Sequence, residues 1–282
     1  MRSVDAENSI LQQSMSPFIK LSSPATHQFW EITILFEDDH LLAIDKPAGL
    51  ASTPEAAAPD VPSLMKLLHA GIERGVPWSV ERGRSYLTPA NRPDAEASGV
   101  ILLAKSKPIL VTLLDAFGTE NPSRTYLALV QGTPAEDHFQ NGARLAPNPV
   151  QPGAFRVDPH HGKRCRTGFE VMEKFAGFTL LRSEAWTDRP HQVRVHLRNL
   201  GLPLVGDQLY GGRSLLLSRL KRDYRLKPNR SEHPLLARAA LHAEALRFVH
   251  PVTGAAMIIN SPWPKDLTVA VKYLRRYGTA QA

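Results

Sequence analysis

Between Trp186 and Gly211 the chain passes from a cation-rich segment directly into an apolar one broken by Gly and Pro. No other stretch constrains the local fold as tightly. Within eight residues stand His191, Arg194, His196 and Arg198. Val193, Leu197 and Leu200 recur at helical spacing, which predicts a helix over residues 191–200 with one apolar stripe and Gly201 as its stop. Arg194 and Arg198, four positions apart, share an adjacent face.

A second segment bears on the first. Asn91-Arg92-Pro93-Asp94-Ala95-Glu96-Ala97-Ser98-Gly99 places Asp94 in a tight, basic-flanked turn, and residues 99–104 read as a buried strand after it. Loops held between rigid elements often carry catalytic groups. A carboxylate that must stay ionised while working on a polyanion needs a fixed cation beside it. Together the two segments predict an enzyme that acts on nucleic acid through an Asp nucleophile.

The 282 residues are enough for a sizeable core, as one large domain or two lobes around a cleft. A net charge of +7 favours a polyanionic partner, though it also serves solubility. The excess is concentrated: Arg213, Arg219, Lys221, Arg222, Arg225, Lys227 and Arg230 are opposed only by Asp223, a pattern suited to an arm that tracks phosphates. The single cysteine, Cys165, excludes an internal disulfide and fits a reducing compartment. Residues 1–20 lack the apolar core of a signal peptide, and no apolar run approaches the roughly 20 residues of a membrane span. The expectation is a cytoplasmic protein, monomeric and without a membrane partner.

Residues 1–28 show no periodicity and read as a flexible tail, with the folded domain over 29–282. Short strands are expected at 32–36 and 41–44, and a helix over 63–72 with Ser63 as N-cap. The stretch 73–90 is polar and carries no predicted element. A helix over 108–117 and a strand over 124–130 follow. Residues 133–161 are dense in Pro, Gly and Asn and read as an irregular insert, a mobile lid or an RNA contact. Strands at 167–173, 178–185 and 241–248 and a terminal helix at 268–277 complete an α+β chain without internal repeats.

Six ordered segments carry a resemblance. Lys46-Pro-Ala-Gly-Leu50, Asn91 to Gly99, Arg124-Thr-Tyr126-Leu-Ala128, Pro190-His-Gln-Val-Arg194-Val-His-Leu197, Val205-Gly-Asp-Gln-Leu-Tyr-Gly211 and Ala240 to Gly254 resemble, in that order, the motifs of the RluA-type pseudouridine synthases. The likeness spans about residues 32–264. It implies an α+β catalytic fold with a mixed, largely antiparallel central sheet, flanking helices and a cleft. It further implies a cofactor-free isomerase that converts selected uridines of ribosomal or transfer RNA into pseudouridine. Carried over by motif, Asp94 is the nucleophile, Arg194 pairs with it, and Tyr126 stacks on the target base. Arg92 fills the space that the extruded base leaves. Lys46, Arg124, His191 and Gln192 are the remaining candidates for substrate contact, Lys46-Pro47 also serving to shape the loop beneath the site.

The residues alone support a carboxylate that holds sugar or base while the uracil turns. Without the resemblance, Asp94 is equally a turn cap, Tyr126 a core residue and Arg194 a surface cation. The chain also departs from the family, which usually has His, Leu and Thr where Asn91, Pro93 and Ala97 stand, and Gly and Thr at Asp188 and Pro190. Pro93 removes a backbone donor beside Asp94, and Asp188 adds negative charge to the RNA path. These departures motivate an alternative: a catalytically silent RNA-binding paralogue of the same fold. A hydrolase acting on a nucleotide or sugar is the third reading, and it lacks a second placed carboxylate other than Glu96. No metal is expected, because His191 and His196 are five apart and His160-His161 with Cys165 offer three ligands at most. No phosphate-cradling Gly-rich signature is present, and no cofactor is expected.

Overall fold

The computed structural model describes residues 16–54, 60–83, 86–118, 123–221, 223–226 and 229–278. Its frame is one 11-stranded sheet. The strands in chain order are β1 (Phe18–Ser23), β2 (Gln28–Glu37), β3 (Leu41–Lys46), β4 (Thr88–Pro89), β5 (Ser98–Ala104), β6 (Ser123–Gln131), β7 (His138–Asn141), β10 (Thr167–Phe175), β11 (Phe178–Ala185), β12 (Leu241–Val249) and β13 (Ala256–Asn260). β8 (Leu145–Pro147) and β9 (Phe155–Val157) form a separate hairpin. The spatial order is β1-β2-β3-β5-β12-β6-β11-β10-β7, with β13 on β12 and β4 on β5. Every pairing is antiparallel except β5 with β12. The expected mixed, largely antiparallel α+β architecture is what the chain adopts.

The helices are α1 (Leu64–Glu73), α2 (Pro77–Glu81), α3 (Lys107–Phe117), α4 (Gln192–Asn199), α5 (Leu217–Leu220) and α6 (Lys265–Tyr277). Ser63 caps α1 as its sequence predicts, its hydroxyl accepting from the Lys66 amide at 3.3 Å. The all-buried run of β5 explains its central place, since both its faces are covered. On one face Ala128, Val130 and Leu181 pack with Val193 and Leu197 of α4. On the other, Leu127, Leu129 and Leu180 pack with Leu267, Val271 and Leu274 of α6. The alternation along β6 and β11 thus seats one helix on each side.

Two expectations fail here. Residues 16–28 are not tail: β1 lies in this span and pairs with β2 over six residues, burying Ile19 and Leu21. Its alternation of Ile19, Leu21 and Ser23 is too short to stand out beside a polar leader. Residues 1–15 lie outside the described residues. The insert over 133–161 is also built, because β7 extends the sheet through β10 and Phe155 of β9 packs its ring against His191 at 5.5 Å. Strands of three or four residues between Pro and Gly leave little periodic signal. α2, within the polar stretch 73–90 to which the sequence assigned no element, likewise starts on a Pro and is only five residues long.

Candidate active site

The site forms where the turn ahead of β5 meets the start of α4. Asp94 opens a turn whose Ala97 amide donates back to the Asp94 carbonyl at 3.1 Å. The loop is tied down on three sides. Asn91 donates its amide to the Val100 carbonyl at 3.1 Å and accepts from the Leu102 amide at 2.7 Å. Ser52 donates to the Pro93 carbonyl at 2.6 Å. Gly49 donates its backbone amide to the Ala95 carbonyl at 2.8 Å. Asn91 and Pro93 are therefore accommodated: the amide side chain stitches the loop to β5, and the carbonyl of the proline is satisfied. Gly99 has φ +111°, and a Cβ there would collide with the Ala243 backbone of β12, so only glycine lets β5, directly after the Asp94 turn, sit this close to β12.

From α4, Arg194 reaches the turn with 1% exposure. Its Nη1 donates to Glu96 Oε2 at 2.8 Å and to Asp94 Oδ2 at 3.4 Å. On the opposite edge, Nε and Nη2 grip Asp207 at 2.8 and 2.9 Å in a two-pronged pairing. The guanidinium also lies over the Tyr210 ring, 5.0 Å from its centroid. Burial acts against the Arg194 charge, but the bonds from Asp207 and the charges of Asp94, Asp207 and Glu96 override it and push its pKa far above the ordinary arginine value.

Tyr126 of β6 lines the same narrow cavity as Asp94, together with Arg92, Thr187, Asp188 and Gln192. Burial pushes the Tyr126 phenol well above its ordinary range, and the nearby Asp188 adds to the effect. It is a neutral hydroxyl at physiological pH. The cavity measures about 30 Å³, room for a water and not for a uracil, so a base enters only if the rim moves. Exposed Arg92 belongs to that rim.

The geometry so described has counterparts in known proteins. Residues 40–199 match the RNA pseudouridylate synthase family. The chain belongs to the RluA-type RNA pseudouridine synthases. That class of enzyme is an isomerase. It is 32% identical over 276 residues to ribosomal large subunit pseudouridine synthase D of Xanthomonas campestris, covering 91% of this chain and 73% of the relative. Against ribosomal large subunit pseudouridine synthase C of Salmonella typhi it is 34% identical over 252 residues, covering 86% and 70%. The fold matches human RNA pseudouridylate synthase domain containing 4 with a TM-score of 0.62 at 20% identity, covering 86% of this chain and 92% of that one.

Of the residues singled out by sequence, Asp94, Tyr126, Arg194, Arg92 and Gln192 converge on this pocket. Others do not face it as free contacts. Lys46 is wholly buried, and its ammonium donates to the carbonyls of Leu50, Pro47 and Ala95 at 2.7, 2.9 and 3.3 Å. Burial pulls its pKa down to about 7 against the opposing charge of Asp94. It braces the Asp94 turn from beneath and has no open route to a substrate. His191, in the left-handed region at φ 57°, turns its Nδ1 to the Tyr210 hydroxyl at 2.7 Å and does not line the cavity. Gln192 lines it with every polar atom committed: the side chain accepts from Thr187 and the Arg189 amide and donates to Thr167 and the Arg166 carbonyl. It shapes the 187–189 loop.

The sequence assigned no role to Asp207 or Tyr210 and offered Glu96 only as a second carboxylate for the hydrolase reading. A buried carboxylate inside an apolar Gly-rich run was the available signal for Asp207, since such a group needs a cation. Along the basic run, the described Arg213, Arg219, Arg225 and Arg230 are exposed, while Arg222 and Lys227 lie outside the described residues.

Proposed function

We propose that the chain isomerises uridines of large-subunit ribosomal RNA to pseudouridine with Asp94 as nucleophile. The observation that carries this reading is Asp94 set 3.4 Å from a buried guanidinium that Asp207 and Glu96 hold in place. A target base drawn out of its stack enters beside Tyr126, at an unstacking cost of roughly a few kcal/mol that RNA contacts offset. Arg92, exposed at the rim, then occupies the gap in the RNA. The Asp94 carboxylate bonds to the ribose or to the base, the glycosidic C–N bond breaks, the uracil turns, a C–C bond forms at C5, the bond to Asp94 breaks so that the carboxylate is restored, and N1 takes up a proton. The proton at C5 leaves last. Arg194 fixes the orientation of the carboxylate through the sequence, and Tyr126 offers a neutral face and hydroxyl to the base.

The relatives named for the ribosomal large subunit support that RNA as substrate. The test is release of tritium from a large-subunit rRNA transcript labelled at uridine C5. Release by the purified protein, matched by new pseudouridine at defined positions, supports the reading. Tight RNA retention with no release overturns it in favour of a silent RNA-binding paralogue.

A further inference from the structure

A second cavity shares Arg92 and Asp188 with the Asp94 pocket. It measures about 440 Å³, ample for a nucleotide-sized ligand, and opens between β4 and α3. Leu110, Leu114 and Phe117 of α3 give it an apolar wall, and Leu114 is 47% exposed. Opposite them stands Arg124 of β6, only 3% exposed and stacked over Phe117 at 5.0 Å. Its Nη2 lies 3.3 Å from Asp188, but its Nε and Nη1 have no acceptor in the protein. A buried guanidinium with two unmet donors carries a substantial desolvation cost, and an oxyanion arriving through the cavity is the chemistry that relieves it. Arg124 sits two residues before Tyr126 on the same face of β6, so the two cavities are neighbours along one strand.

We propose that this cavity seats the nucleotide adjacent to the target uridine, its phosphate on Arg92 and Arg124 and its base on the Leu110–Leu114 wall. Asp188 is the device that regulates entry. It occupies Arg124 in the free protein, and the incoming phosphate competes with it for the guanidinium. Because Asp188 also lines the Asp94 pocket, letting go of Arg124 frees the 187–189 rim where the small pocket has to widen. The contact thereby sets how readily this chain accepts RNA. The proposal rests on the reading that the chain works on RNA.

Three variants test it, with KM and kcat from tritium release and RNA affinity from filter retention of the same rRNA transcript over a salt series. Asp188→Asn removes the competing charge and is expected to lower KM several-fold, roughly threefold to tenfold. Leu114→Asp, on the exposed wall, is expected to raise KM by roughly tenfold with kcat little changed. Arg124→Met is expected to weaken retention and to reduce the slope of log affinity against log salt by about one, the mark of one lost phosphate contact. If Arg124→Met fails to fold, the other two decide. Unchanged KM, affinity and salt slope in folded Asp188→Asn and Leu114→Asp would overturn the proposal. If the parent protein releases no tritium, the proposed function fails while retention still reads this subsite.

Discussion

Arg194 and Arg182 lie on opposite faces of the same sheet, each among carboxylates, and they have opposite fates. Arg194 is sealed beneath Tyr210 and touches Asp94, Glu96 and Asp207 within 3.4 Å. Arg182 of β11 pairs with Glu244 at 3.2 Å and Glu170 at 3.9 Å across an open cleft, with its own side chain 41% exposed. The partners are alike, so the difference is solvent. In the cleft, water screens every pair and each contributes little. Under α4 the charges have no alternative to one another, so their geometry is fixed and one removed partner leaves another stranded. Orientation of a reacting carboxylate calls for the second kind of environment.

The comparison breaks most visibly at Arg194. Arg194→Met strands Asp207, which is 2% exposed, and should cost roughly 3–5 kcal/mol in urea unfolding as well as all tritium release. Asp207→Asn keeps the shape but loses the charge-assisted grip. A loosened guanidinium should lower kcat by roughly a hundredfold with KM nearly unchanged, measured on the same labelled RNA.

The seam between α4 and the sheet gives a third, pH-dependent effect. His196 is fully buried, bonded to Thr167 at 2.9 Å and to the Ala143 carbonyl at 2.9 Å, and burial lowers its pKa below the ordinary 6.5. His242 of β12, bonded through Nδ1 to Ser98 of β5 at 2.9 Å, is lowered in the same direction, again chiefly by burial. The unfolded chain therefore takes up these protons near pH 6.5 and the folded chain only at lower pH. Stability is full above about 6.5 and declines as pH falls below it. Melting temperature followed from pH 7.5 to 5 should drop, and His196→Gln should flatten part of that slope. Smallest of all, Arg182→Ala should shift unfolding by less than about 1 kcal/mol and leave tritium release intact. A large effect there would erase the distinction between the two faces.

What could be read in advance follows the same division. Long periodic elements such as α4, α6 and β6 announce themselves, because burial of one face writes a repeat into the chain. The Asp94 turn and Arg194 were also legible, through motif order. The three-residue strands β8 and β9 and the edge strand β1 were not, since their pairing depends on partners far away in sequence. Nor were the assignments at Lys46 and His191. Residue type names what a side chain can bond to, while the fold decides that carbonyls or Tyr210 claim it first.

The central claim is that Asp94 carries the chemistry although Glu96 is bonded more closely to Arg194, at 2.8 Å against 3.4 Å. Tritium release from C5-labelled large-subunit rRNA by Asp94→Asn and Glu96→Gln, side by side, addresses it directly. Asp94→Asn should fall to background while Glu96→Gln keeps a measurable rate. Release at the parental rate by folded Asp94→Asn would contradict the account, whatever Glu96→Gln does.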